Sequence, residues 1–357
     1  MPDNFGMHPF FATLGSSVLE RWKASNFSPS AFPQIARLAM EENPPFKHVD
    51  VGEFMHGVLL DDQQPLQTQS GFGQPEIIVF EDPRFYIQVL FWLDGTTDIH
   101  QHTFSGAFHV LLGSSLHSQF TFKDPESISA HLRVGHVEMR DSQLLETGRT
   151  VEITSGAHFI HSLFHLETPS VTVVIRTHND PGSGPQFTYL PPHLAVDPFH
   201  NDSLTNRRKQ LLDVLEAIED PAYPEAVAEM VQALDFERGF FILQNSRVYL
   251  EQIECWQEIW QKFAHRHGDL AAFVAPTLEE ILRRDALVAL RRNVLAVELR
   301  FFLALLLNIT DRETLLNLVG QRFKGAPAKT VLRWTRELKS ELGATDLEFN
   351  QLLPANW

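Results

Sequence analysis

The chain has 357 residues, 43% hydrophobic and 21% charged, an ordinary globular balance with ample material for a buried core and a length that suits two domains. Lys and Arg number 29 against 45 Asp and Glu, and the resulting net charge of −16 repels nucleic acid and anionic membrane surfaces. A single cysteine, Cys255, excludes an internal disulfide and a thiolate metal cluster, so a metal site has to draw on carboxylates or on the 17 histidines.

The opening residues Met1 to Phe5 show no basic stretch leading into an apolar run, and a cytoplasmic location is expected. Residues 10 to 42 contain two short amphipathic patterns, Phe11 to Ala24 and Pro29 to Glu42, which predict helices packed on the segment C-terminal to them. From about Val51 to Leu190 the texture changes to short runs of β-branched and aromatic residues divided by Gly, Pro, Asp and Ser. Examples are Glu76 to Phe80, Phe85 to Trp92, Ala107 to Leu112, His117 to Phe122, His136 to Arg140, Thr150 to Thr154 and Ser170 to Arg176. That spacing predicts an antiparallel sandwich or barrel.

The stretch Asn179 to Phe199 is crowded with Pro and Gly and reads as an extended connector. From Ser203 the period becomes helical, with Leu211, Leu215 and Ile218 on one face and Val227, Met230 and Leu234 on another. The most apolar helix candidate, Asn293 to Ile309, carries Glu298 and Arg300. Its uninterrupted run Phe301 to Leu307 is far too short to span a bilayer. The expected organisation is an N-terminal helical segment over 1–50, a metal-binding β-barrel over 51–200 and an all-α domain over 201–357.

The chemistry concentrates in Phe85 to His102: a strand, a turn at Asp94-Gly95, and a second strand bearing His100 and His102. Side chains at i and i+2 of a strand share a face, so both imidazoles can chelate one ion from inside a barrel. A later segment, Glu152 to His165, ends a strand at Gly156 and offers His161 from a neighbouring strand. Three histidines with coordination positions left open suit a catalytic metal; a structural site fills its shell. His158 and His165 flank His161 and are expected around the ligands, not among them. His109 and His117 flank a turn and are expected at the barrel rim. Tyr86 and Gln88 share a strand face and are candidates for lining a substrate pocket.

These residues resemble the cupin superfamily, and within it the thiol dioxygenases that use a three-histidine ferrous centre. The resemblance runs through Phe85 to Gly113 and Gly156 to Arg176, on the spacing His-x-His, Gly106, Gly113 and His161. Gly106 stands where many cupins carry an acidic fourth ligand, as in the three-histidine branch. The resemblance implies an antiparallel double-stranded β-helix, with Fe(II) on His100, His102 and His161, and dioxygen and a small molecule as substrates. Cu, Ni or Zn are alternatives, since imidazole suits them too. Where thiol dioxygenases place Ser, His and Tyr, this chain has Thr172, Val174 and Arg176. The departure argues against thiol oxidation as such and leaves Thr172 beside the ligands. Arg176 is then either an ion-pair partner or a fixed cation for an anionic substrate group.

A second reading couples a ligand-sensing barrel to a regulatory or DNA-binding helical module, since Arg322, Lys324, Lys329, Arg333, Arg336 and Lys339 cluster late in the chain. The acidic balance of the whole argues against nucleic acid. A third reading is a metal-binding scaffold whose helices form a lid or the interface of a homodimer.

Overall fold

The computed structural model describes residues 8–61, 65–67, 72–343 and 345–354, the side chain of Leu347 excepted. Helix α1 (Pro9–Ala24) opens on a proline, with the His8 side chain accepting from the Phe10 amide, and buries Phe11, Leu14, Val18 and Trp22 along one stripe. Helix α2 (Phe32–Glu42) buries Phe32, Ala36, Ala39 and Met40. Helix α3 (Val51–Leu60) lies where the strand texture was expected to begin. The Asp50 carboxylate accepts from the Glu53 amide at 2.9 Å, and this cap starts a helix despite the β-branched Val51 and Val58.

The strands among the described residues are β1 (Glu76–Asp82), β2 (Phe85–Trp92), β3 (Ile99–His102), β4 (Gly106–Leu112), β5 (Ser114–Ser127), β6 (Leu132–Glu146), β7 (Thr150–Ile153), β8 (Gly156–His165), β9 (Ser170–Thr177), β10 (Thr188–Leu190) and β11 (Leu194–Val196). One sheet runs β1-β2-β9-β4-β7. The other, β10-β11-β6-β5-β8-β3, closes into a six-stranded barrel of antiparallel strands. The stretch 179–199 is therefore not wholly a connector: β10 and β11 form a hairpin in which Tyr189 opposes Ala195, and β11 continues onto β6.

The helices after the barrel are α4 (Ser203–Ala217), α5 (Tyr223–Ala233), α6 (Phe236–Gln252), α7 (Trp256–His267), α8 (Val274–Asn293), α9 (Val297–Asn308), α10 (Arg312–Arg322), α11 (Pro327–Leu342) and α12 (Asp346–Asn350). No helix among the described residues is long and apolar enough to cross a membrane.

The chain divides into two compact units. The first comprises Met1–Phe120, Met139–Gly184 and Arg284–Trp357; the second comprises Thr121–Glu138 and Pro185–Arg283. In the second unit Leu132, Val134, Leu194 and Val196 pack with Leu212, Tyr223, Val227, Phe236, Phe240 and Phe263 of the helices.

Within the first unit β2 shows how alternation sorts side chains. Phe85, Ile87, Val89 and Phe91 face the N-terminal helices and join Phe11, Trp22 and Phe32 in one core. Gln88, Leu90 and Trp92, on the opposite face, look between the sheets. Helix α9 is buried on every side, which explains its uniformly apolar run, and it packs with Leu116, Phe164 and Leu166 of the barrel and Trp334 of α11.

Candidate metal centre

A cavity between the two sheets of the first unit is lined by apolar side chains, among them Phe72, Leu90, Trp92, Phe104, Phe108 and Val174, with Gln88, Thr97 and Thr172 as its uncharged polar groups. Its volume is ≈ 30 Å³. At its wall stand His100, His102 and His161, all buried, each with a potential ligand nitrogen within 4.8 Å of the others. Strand β3 supplies the first two and β8 the third, and the β3–β8 register sets His100 directly opposite His161.

Hydrogen bonding fixes which nitrogens face inward. The His100 Nδ1–H donates to the main-chain oxygen of Asp98 at 2.7 Å, because a carbonyl can only accept, so the lone pair sits on Nε2. That Nε2 is buried and has no hydrogen-bond partner. His102 Nε2 and His161 Nε2 lie 2.9 Å apart, and His161 Nδ1 lies 3.1 Å from His117 Nε2. Two nitrogens bound at about 2.1 Å to one ion at a right angle lie about 3.0 Å apart, so the His102–His161 pair already has the spacing of two ligands.

Burial holds all three imidazoles below their ordinary pKa. His102 and His161 fall furthest because neighbouring imidazoles add to the desolvation, whereas the Asp98 carbonyl offsets part of the effect at His100. At neutral pH all three are neutral, the form that ligates a metal. An orphaned, tautomer-fixed imidazole nitrogen, two more at ligand spacing and an all-nitrogen donor set together fit a divalent transition metal.

The other residues singled out from sequence take varied places. Gln88 and Thr172 line the cavity, and the Thr172 hydroxyl accepts from Trp92 Nε1 at 3.1 Å. Tyr86 shares the strand face of Gln88 but lies outside the lining, against His178 and the Arg176 guanidinium. Arg176 sits 3.4 Å from the centroid of Phe104, one ring away from the cavity, and donates to the main-chain oxygens of Thr177 and His178. Burial lowers its pKa to about 10, which leaves it cationic at neutral pH. His165 is buried behind the cavity, stacked on Trp92 at 4.7 Å with Nδ1 2.9 Å from the Ser115 hydroxyl. His158 is exposed and apart from the cluster. His109 lies on the other face of β4, 2.8 Å from the Thr150 hydroxyl and stacked on Phe46.

Sequence reasoning missed His117. Expected at the rim, it is fully buried on β5 behind His161. Alternation held the signal: Leu116 packs toward α9, so His117, one residue on, faces the interior.

The fold and the cluster together define an antiparallel two-sheet β protein, one sheet closed into a barrel, with three buried histidines on the wall of the cavity between the sheets. No family model matches the chain, and no curated protein matches it either. Solved structures do. A cupin-2 domain protein from Shewanella frigidimarina is 14% identical, over 37% of this chain and 96% of that one, with a TM-score of 0.23. KdgF from Halomonas sp. is 15% identical over 34% and 94%, with a TM-score of 0.23. A hydroquinone 1,2-dioxygenase from Sphingomonas sp. TTNP3, with 4-hydroxybenzoate bound, is 9% identical over 34% and 87%, with a TM-score of 0.24.

Proposed function

We propose that the protein is a mononuclear non-haem iron oxygenase of dioxygenase type, with Fe(II) held by His100, His102 and His161, acting on a small molecule together with dioxygen. The observation that carries this reading is His100. Its ring is locked by the Asp98 carbonyl so that Nε2 points into the cluster, buried and unpartnered, a costly arrangement unless an ion claims the lone pair.

A ferrous ion there supplies the one-electron chemistry toward dioxygen that amino acid side chains lack. The chain's own part is binding and exclusion. The rings of Phe72, Trp92, Phe104 and Phe108 keep water from the cluster, and Gln88 is the amide placed to hold a polar group of the substrate. The Thr172 hydroxyl, its oxygen accepting from Trp92, keeps its own proton to donate. Arg176, behind Phe104, contributes positive potential that favours an anionic substrate group. Copper, nickel and zinc are the competing ions for an all-imidazole set.

The test is metal analysis of the wild type beside His100→Ala, His102→Ala and His161→Ala after anaerobic loading with Fe(II), followed by oxygen uptake with small thiols, phenols and amino acids. One iron per chain, lost in each variant, together with substrate-dependent oxygen consumption, supports the oxygenase. Iron bound without oxygen consumption by any substrate leaves a metal-binding barrel. A protein that takes up none of Fe(II), Cu(II), Ni(II) or Zn(II) removes the reading.

A further inference from the structure

We infer that His117 is a positioning residue for the metal: it accepts the Nδ1 proton of His161 and thereby fixes that ring with Nε2 as the ligand atom. The inference rests on the proposed metal centre and concerns a residue outside the three-histidine set.

The tautomers follow from counting protons. A neutral imidazole carries one N–H. If His161 gives its Nε2 lone pair to an ion, its proton is on Nδ1, and the atom facing Nδ1 is His117 Nε2 at 3.1 Å. His117 must then accept through Nε2 and carry its own proton on Nδ1. His100 obeys the same rule by a different partner, donating its Nδ1–H to the Asp98 carbonyl at 2.7 Å. Two of the three ligands are therefore oriented by a hydrogen bond on the nitrogen remote from the ion, the usual device for holding a ligating histidine.

Packing alone does not account for His117. The residue is fully buried between the rings of Phe108 and Phe159, where an aliphatic side chain would fill the space without a polar penalty. Its Nδ1 has no hydrogen-bond partner, so the contact with His161 is what its polarity serves. A buried polar group kept at that cost calls for an explanation, and orientation of His161 supplies one. An imidazole in this place, where many metal sites use a carboxylate, also adds no negative charge, so the ion keeps its full charge for substrate and dioxygen.

The experiment compares wild type, His117→Leu and His117→Gln in the full chain, with Co(II) as the probe, read by chelator competition and by the visible absorption of bound Co(II). Leu keeps the packing and removes the acceptor; Gln keeps an acceptor near the position of Nε2. The expected result is a Co(II) Kd raised about 10- to 100-fold in His117→Leu with an altered spectrum, and a Kd within a few-fold of wild type in His117→Gln. Metal-free thermal unfolding of each variant separates loss of fold from loss of affinity. His117→Leu that folds and binds Co(II) with the wild-type Kd and spectrum overturns the inference and leaves the metal reading standing. Loss of affinity in both variants alike assigns His117 to packing. A wild-type protein that takes up no Co(II) overturns both.

Discussion

Arg291, on α8 and without exposed surface, places Nε 2.9 Å from the main-chain oxygen of His165 at the end of β8. The same guanidinium reaches the main-chain oxygens of Leu93 and Glu167, while the neighbouring Arg300 donates to Leu166 O and Thr168 Oγ1. Two buried cations thus close the carbonyls at the end of β8, and the strand they secure carries His161. Burial lowers the Arg291 pKa to about 10, so it remains charged, and Asp94 at 3.9 Å supplies partial compensation. Arg291→Ala takes the guanidinium from His165 O, whereas Leu93 O still accepts from the Thr168 hydroxyl and Glu167 O from the Ser170 hydroxyl. The variant is expected to lower the unfolding free energy by about 2 kcal/mol, measured by urea denaturation of the full chain. A change under about 0.5 kcal/mol would show that water replaces the guanidinium at little cost.

Gly106 pairs with Ile153 on one side and Arg176 on the other, and a Cβ at this position would overlap the carbonyl oxygen of Ile175. The position is thus closed to any side chain. Gly106→Glu, designed to add a fourth ligand, is therefore expected to break the β4–β9 ladder and yield little folded protein. Gly106→Ala is expected to lose a few kcal/mol. Circular dichroism melts decide the matter, and a well-folded Gly106→Glu with tightened metal binding would contradict it.

Stability should decline with acid in a particular window. Burial lowers the His109 pKa to about 4 and that of His165 to about 3. In the unfolded chain an imidazole takes up its proton near pH 6.5. Between these values the unfolded state binds more protons, so the contribution is complete above about pH 7 and is lost as the pH falls. Each histidine steepens the fall by up to about 1.4 kcal/mol per pH unit. The expected outcome is a Tm level above pH 7 and dropping from pH 6.5 toward 4, with a shallower drop in His109→Phe. A Tm flat down to pH 4.5 would refute the account.

Metal should stabilise the native state, because the cluster is assembled by folding and does not exist in the unfolded chain. Co(II) at about 100 times its Kd is expected to add about 2.7 kcal/mol in the wild type, read as a raised Tm that a chelator reverses. His161→Ala should show no such rise. An equal rise in that variant would place the metal elsewhere on the protein.

Much of the centre was legible without a fold. The i, i+2 spacing of His100 and His102 puts both rings on one strand face whatever surrounds them, and the turn at Asp94-Gly95 with the strand runs on either side predicted an antiparallel barrel. These are local consequences of backbone geometry. The helix at Val51–Leu60 escaped because its start is set by a cap, the Asp50 carboxylate on the Glu53 amide, which outweighs the β-branched Val51 and Val58.

Other relationships were decided by tertiary structure alone. His117 meets His161 across 44 positions of sequence, and Arg291 meets His165 across 126, through strand pairing and helix packing that no local pattern encodes. The late helices α9 to α11 share one core with Leu116, Phe164 and Leu166 of the strands, so the run Phe301 to Leu307 reads as an ordinary core helix until Leu116 and Phe164 are seen beside it. Periodicity states which face of an element is apolar. Only the folded chain states what that face covers, because the partner is chosen by closure of distant segments around a shared interior.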